Sequence, residues 1–147
     1  MEPTGIFVYG TLRSDVFPRS KYYNMYDCEA ISAYLKGGKM YFDSLYPYII
    51  LDNSESIIIG QIIFPKNLKN KIIETDRIEN EGIMYKRVIV SVILNDTKET
   101  INAYTYIRNY DNKSIEIESG DWALCNKEDL INKSLYSKQI NIMSNKN

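Results

Sequence analysis

Residues 56–64 constrain the fold more than any other stretch of the chain. Ile57-Ile58-Ile59-Gly60-Gln61-Ile62-Ile63 is dense in β-branched side chains, whose stiff χ1 suits a pleated surface. The run is long enough to cross a sheet, and Gly60 in its middle marks a bulge or a close approach by another backbone. Around it the sequence reads as a series of short strands. A first apolar strand starts at Gly5 and runs into a Gly-Thr turn. A strand pair spans 28–42 around Gly37-Gly38, a flexible hairpin signal. Further strands are expected over 47–51, 85–94, 99–107 and 114–118, with 99–107 the antiparallel partner of 85–94. The main helical stretch runs from Pro65 to about Glu79, where Pro suits the first turn because its missing N–H has no partner to lose.

Many strands with one main helix indicate an α+β domain, and strands this numerous close or nearly close to hide their edges. Residues 13–26 are polar and mixed, read as a loop with a short helix, and 128–136 as another short helix. The expected organisation is a single domain over 1–136, followed by a polar, flexible tail over 137–147. A chain of 147 residues, 44% hydrophobic and 25% charged, is large enough for a real core and ordinary for a globular domain.

Charge and composition exclude several functions. The net charge is −1, with Lys and Arg scattered along the chain. No basic face for nucleic acid is therefore expected, and the thirteen tyrosines read as core and pocket walls rather than a base-stacking groove. No apolar run approaches the roughly 20 residues that span a bilayer, and Met1-Glu2-Pro3-Thr4 lacks the pattern of a secretory signal. Cys28 and Cys125 match no metal or redox spacing and are read as reduced thiols of a cytoplasmic protein. Histidine is absent, which excludes Ser-His and Cys-His triads and removes the commonest metal ligand. An enzyme built on this chain must move protons with carboxylates, tyrosines, lysines or cysteines.

Two segments carry candidate chemistry. Gly5-Ile6-Phe7-Val8-Tyr9-Gly10-Thr11-Leu12-Arg13 runs a strand into a turn that exposes successive backbone N–H groups, an arrangement that binds anions. Gly10 lets the chain bend and a ligand approach where a Cβ would obstruct. In the helix, Leu68, Ile72, Thr75 and Glu79 follow steps of four, three and four and so share one stripe, apolar until it ends in a carboxylate. A carboxyl group facing other elements there has its pKa raised by desolvation, which makes a base and acid usable near neutral pH. On composition alone Glu74, Asp76 and Glu81 compete with Glu79.

Three motifs together settle on one candidate. Tyr9-Gly10-Thr11-Leu12-Arg13, then Asp76-Arg77-Ile78-Glu79 followed by Tyr85-Lys86-Arg87-Val88, and finally Ile117-Glu118-Ser119-Gly120-Asp121-Trp122 resemble, in order, the signatures of the γ-glutamylcyclotransferase-like family. The spacing is similar to its γ-glutamylamine cyclotransferase branch. The resemblance implies a compact, mixed, roughly six-stranded β-barrel flanked by a few helices. It implies an enzyme that converts a small γ-glutamyl amide or amine conjugate to 5-oxoproline and a free amine, with no metal and no cofactor. Glu79 would be the general base and acid, because it is the carboxylate of the D-x-x-E segment. Tyr9, Gly10, Thr11, Leu12 and Tyr85 would bind substrate, with the N–H groups of 10–12 on its α-carboxylate. Tyr104 and Tyr106 are further candidates for the pocket wall, at least one of them structural. Arg13 could help attract the carboxylate but reads better as exposed and structural, Arg87 reads as structural, and Trp122 as packing. Asn80 stands where the family often has Gly, with Gly82 two positions later, which leaves the loop geometry open. The expected partner is the small-molecule substrate alone, with no nucleic acid, no membrane and a monomeric state. The competing class is a non-catalytic small-molecule-binding protein on the same scaffold.

Overall fold

Every residue of β1 (Gly5–Val8) is buried, because the strand is covered on both faces. Phe7 points into one apolar cluster, with Ala33, Leu35, Ile58, Ile62, Val92 and Ala103 among its members. Ile6 and Val8 join a second, with Tyr48, Ile63, Tyr85 and Tyr106. The computed structural model describes residues 2–15, 28–43, 46–108 and 115–126, together with Glu128 and Asn132. The expected loop and helix over 13–26, the helix over 128–136 and the tail over 137–147 lie largely or wholly outside the described residues.

A closed barrel forms from β1, β2 (Glu29–Lys36), β5 (Ile57–Phe64), β6 (Lys86–Leu94) and β7 (Thr100–Ile107), in the order β1-β5-β2-β6-β7. β5 is the strand read from its isoleucines, and it pairs along its whole length with β2, from Glu29 opposite Phe64 to Lys36 opposite Ile57. β6 and β7 form the expected antiparallel pair. The barrel closes through one parallel pairing, β1 with β7, which covers only Gly5–Ala103 and Ile6–Tyr104. Beyond that point backbone pairing gives way to side-chain bonds, the Thr105 hydroxyl donating to the Phe7 carbonyl at 2.9 Å. β3 (Gly38–Phe42), β4 (Pro47–Leu51) and β8 (Ile115–Ile117) make a separate sheet in the order β4-β3-β8. The α+β class and the barrel hold, with five strands closing it and three in the companion sheet.

Gly60 is a site of close approach. A Cβ there would lie 2.4 Å from the Val8 carbonyl oxygen and 2.8 Å from the Phe7 ring. The hairpin expected at Gly37-Gly38 is corrected: β2 and β3 are both strands, but they belong to different sheets. Gly37, with φ +97°, donates to Ser56 and accepts from Asp52, so the chain leaves the barrel there instead of folding back on β2.

The helix α1 (Leu68–Glu79) starts three residues after Pro65, capped by Asn67, whose side chain accepts from the Asn70 N–H. Thr75 is fully buried, and Leu68, Ile72 and Ile78 pack against the second cluster. It is the α-helix among the described elements, joined by one 3-10 turn over Trp122–Leu124. Among the described residues no helix is long and apolar enough to cross a membrane.

Candidate active site

A cavity of about 160 Å³ lies beyond the last paired residues of β1 and β7. Its wall includes Tyr9, Gly10, Thr11 and Leu12 from the turn after β1, Glu79 at the last position of α1, and Tyr85 from the loop that follows. The structure thus gathers all six residues singled out in the sequence around one space. Tyr106 and Arg108 line it from the end of β7, and Pro47 and the partly exposed Tyr46 and Met84 from its rim.

The turn owes its shape to its surroundings. The Ser14 N–H and hydroxyl both donate to the Gln61 side chain, at 2.8 and 3.1 Å, and the Arg13 N–H donates to the Gly10 carbonyl at 3.0 Å. The N–H groups of Gly10, Thr11 and Leu12 donate to no described residue, so they are available to an anion. A Cβ on Gly10 would lie 2.8 Å from Pro47 Cγ. Arg13 departs from its expected exposure. It is buried, its guanidinium held by Asp15 at 2.6 Å and Asp121 at 2.8 Å. The Tyr-Gly-Thr-Leu-Arg and Ser-Gly-Asp-Trp strings are therefore two halves of one support. Trp122 packs, stacked on Phe42 with ring centroids 5.8 Å apart.

The four competing carboxylates separate by their partners. Glu74 pairs with Lys71 at 3.3 Å. Asp76 accepts from the Tyr106 hydroxyl at 2.6 Å and is ion-paired with Arg87. Glu81 accepts from the Arg87 N–H at 3.1 Å. Glu79 has no hydrogen bond to a described residue and lines the cavity. Its surroundings take water away from the carboxylate, and burial raises its pKa from 4.5 to about 7, while the nearby Arg108 charge pulls the other way.

Asn80 resolves the departure in the loop. It sits in the left-handed region at φ 52°, ψ 54°, closing α1 with its N–H on the Arg77 and Asp76 carbonyls. Apart from Gly, Asn is the residue that tolerates this conformation best. Its own carbonyl accepts from the N–H groups of Ile83 and Met84, so the chain turns immediately after Glu79 without glycine at that place.

The tyrosines divide between wall and anchor. Tyr85 lines the cavity and donates its hydroxyl to the Pro47 carbonyl at 3.0 Å. Tyr9 does the same toward the Tyr106 carbonyl at 2.7 Å. Tyr104 lies under the Arg87 guanidinium, 5.4 Å from ring centroid to Cζ, and does not line the cavity. Burial raises the pKa of Tyr9, Tyr85 and Tyr106 alike, so all three stay neutral. Sequence reasoning missed Arg108, although it follows Tyr104 and Tyr106 at the two-residue period that places side chains on one face of a strand. Among the described residues no group of three or more acidic, Cys or His side chains could hold a metal.

No curated protein matches the chain. Among solved structures, one from Arabidopsis thaliana is 25% identical over 97% of this chain and 91% of its own, with a TM-score of 0.58. The ytfP protein of Escherichia coli is 24% identical over 80% and 95% at a TM-score of 0.54, and an AIG2-like protein of Mus musculus 17% identical over 78% and 83% at 0.52. The last two show the fold. The profile of the gamma-glutamyl cyclotransferase, AIG2-like family matches residues 6–124, and with most of its length under that profile the chain belongs to this family.

Proposed function

We propose that this protein converts a small γ-glutamyl amide or amine conjugate to 5-oxoproline and the free amine, with Glu79 as the proton shuttle. One observation carries the reading: a desolvated carboxyl group with a pKa raised to about 7 shares its cavity with three backbone N–H groups that donate to no described residue.

The reaction is an intramolecular aminolysis. The N–H groups of Gly10, Thr11 and Leu12 hold the substrate's α-carboxylate, and Tyr9 and Tyr85 wall the curled chain. Holding the α-nitrogen near the γ-carbonyl is worth on the order of 7–11 kcal/mol. Glu79 takes a proton from the α-ammonium, and the freed amine attacks the γ-carbon to give a tetrahedral intermediate. Glu79 returns that proton to the departing nitrogen, takes the second proton from the ring nitrogen as the old C–N bond breaks, and passes it to the freed amine, which leaves as an ammonium. Bonds and protons balance without water or an electron acceptor. A carboxyl group titrating near neutrality is matched to both directions of transfer. Monomeric action in the cytoplasm is part of the same proposal.

The test is 5-oxoproline release from γ-glutamyl amino acids, γ-glutamyl-ε-lysine and γ-glutamyl alkylamines, with wild type beside Glu79→Gln. Release by wild type and its loss in the near-isosteric variant are expected. Release that survives the substitution removes Glu79 from its role. Binding of panel members without release from any of them would favour a non-catalytic binding protein.

A further inference from the structure

Arg108 is the charged group of the cavity wall that the proposed reaction leaves without a task. It is 3% exposed and held from every side. Its backbone N–H donates to the Ile49 carbonyl at 3.1 Å, tying the end of β7 to β4. Nη1 meets the Asp43 carboxylate at 2.5 Å, and Nη2 donates to the Tyr85 hydroxyl at 3.4 Å. The guanidinium carbon lies 4.4 Å from the Tyr48 ring centroid and 4.8 Å from that of Tyr85. Nε is buried without a hydrogen-bond partner among the described residues. A side chain pinned this way cannot swing toward or away from a ligand, and its charge is fixed in place.

We infer that Arg108 is a positioning residue of the site, a fixed charge clamped by Asp43, Tyr48 and Tyr85 that sets the protonation of Glu79 across the cavity. The inference rests on the proposed role of Glu79, and its test below is readable without turnover. The titratable and charged groups that line the cavity with Glu79 are Tyr9 from the turn after β1, Tyr46 at the rim, Tyr85 from the loop after α1, and Tyr106 and Arg108 from the end of β7. On its own helix, Asp76 is engaged by Arg87 and Tyr106. The buried tyrosines are neutral, so among the described residues lining the cavity Arg108 is the one permanent charge. Burial alone would hold Glu79 protonated at neutral pH, whereas a cation in the same low-dielectric wall favours the carboxylate. Asp43, paired with the guanidinium, moderates that field, so the arrangement balances a permanent cation against a partly buried anion.

The test exploits the opposite signs of the two partners. The Glu79 carboxyl is titrated by ¹³C NMR in wild type, Arg108→Met, Arg108→Lys and Asp43→Asn, each checked for native chemical shifts elsewhere. Arg108→Met should move the midpoint up by roughly one pH unit. Arg108→Lys should restore part of the difference, and Asp43→Asn should move the midpoint down. The acid limb of kcat/KM for 5-oxoproline release, where the essential carboxylate becomes protonated, should follow the same order. A structural clamp without electrostatic purpose would shift both single variants in the same direction, or neither, and that result overturns the proposal. If the NMR midpoints move as expected while no panel substrate turns over, the assigned reaction fails and the electrostatic role stands.

Discussion

The Tyr106 hydroxyl donates to Asp76 at 2.6 Å and sits 2.6 Å from the Thr75 hydroxyl, so a tyrosine in the barrel wall holds the helix one turn before Glu79. Arg87, from β6, grips the other oxygen of Asp76. The position of the proposed shuttle is thereby set by two barrel strands rather than by the loop that follows it. Tyr106→Phe removes the shared hydroxyl and leaves one Asp76 oxygen in want of a partner, while the Thr75 hydroxyl keeps only the Ile72 carbonyl at 3.2 Å. The expected cost is about 1–3 kcal/mol, seen as a lower urea midpoint with an unchanged slope. Turnover should fall in kcat more than in KM, since the loss is one of positioning. A variant as stable and as active as wild type would remove the anchor from the account.

Stability and pH should be linked through Glu79 in a direction opposite to that of most carboxylates. Folding raises its pKa from 4.5 to about 7, so the native state binds the proton more tightly than the unfolded chain. Below about pH 4.5 both states are protonated and nothing is lost. As pH rises toward 7 the unfolded chain ionises first, and stability falls by up to roughly 3 kcal/mol. Glu79→Gln carries no such term. It should therefore match wild type near pH 4 and exceed it near pH 8, measured by chemical denaturation at both pH values. A glutamine variant that gains nothing at the higher pH would show that the carboxylate is well solvated.

The strands were legible because each is written locally, whereas Glu79 stood out from Glu74, Asp76 and Glu81 only through the resemblance of its D-x-x-E segment to the family. β5 announces itself through β-branched residues, and the period of α1 leads from Leu68 to Glu79. Nothing local says where two strands will stop pairing, and the cavity lies beyond the point, after Ile6 and Tyr104, where β1 and β7 do so. Arg108 was hidden for the same reason. Its role depends on Asp43, Tyr48 and Tyr85, which are brought together only by the docking of the small sheet on the barrel. Gly37-Gly38 misled because the glycines that close a hairpin also serve a chain that changes sheets. The burial of Arg13 needed Asp121, which lies 108 residues away in sequence.

Asn80 gives a sharp test of loop geometry. Its left-handed backbone costs a residue with an ordinary Cβ about 1–2 kcal/mol, while Gly adopts it freely and Asn at little expense. Asn80→Gly should leave thermal stability and the Glu79 midpoint nearly unchanged. Asn80→Val should lower stability by that amount and shift the Glu79 midpoint toward an ordinary carboxylate as the end of α1 frays. Equal behaviour of the two variants would mean that the loop, and not this residue, fixes where the helix stops.

Gly10 tests the anion-binding turn itself. An added methyl group would lie 2.8 Å from Pro47 Cγ, closer than carbon atoms pack, so either the turn or the head of β4 must move. Pro47 also accepts the Tyr85 hydroxyl at 3.0 Å, so displacement on that side would disturb the opposite wall of the cavity. Gly10→Ala should fold, since the turn lies at the barrel's rim, yet bind a γ-glutamyl amide roughly tenfold or more weakly, a loss of about 1.4 kcal/mol per factor of ten. Titration calorimetry on the Glu79→Gln background would isolate binding from turnover. Thr11→Ala retains every backbone N–H group and leaves Gly10 untouched, so it should bind nearly as the parent does. If instead Thr11→Ala weakens binding as much as Gly10→Ala, the hydroxyl and not the backbone holds the substrate carboxylate.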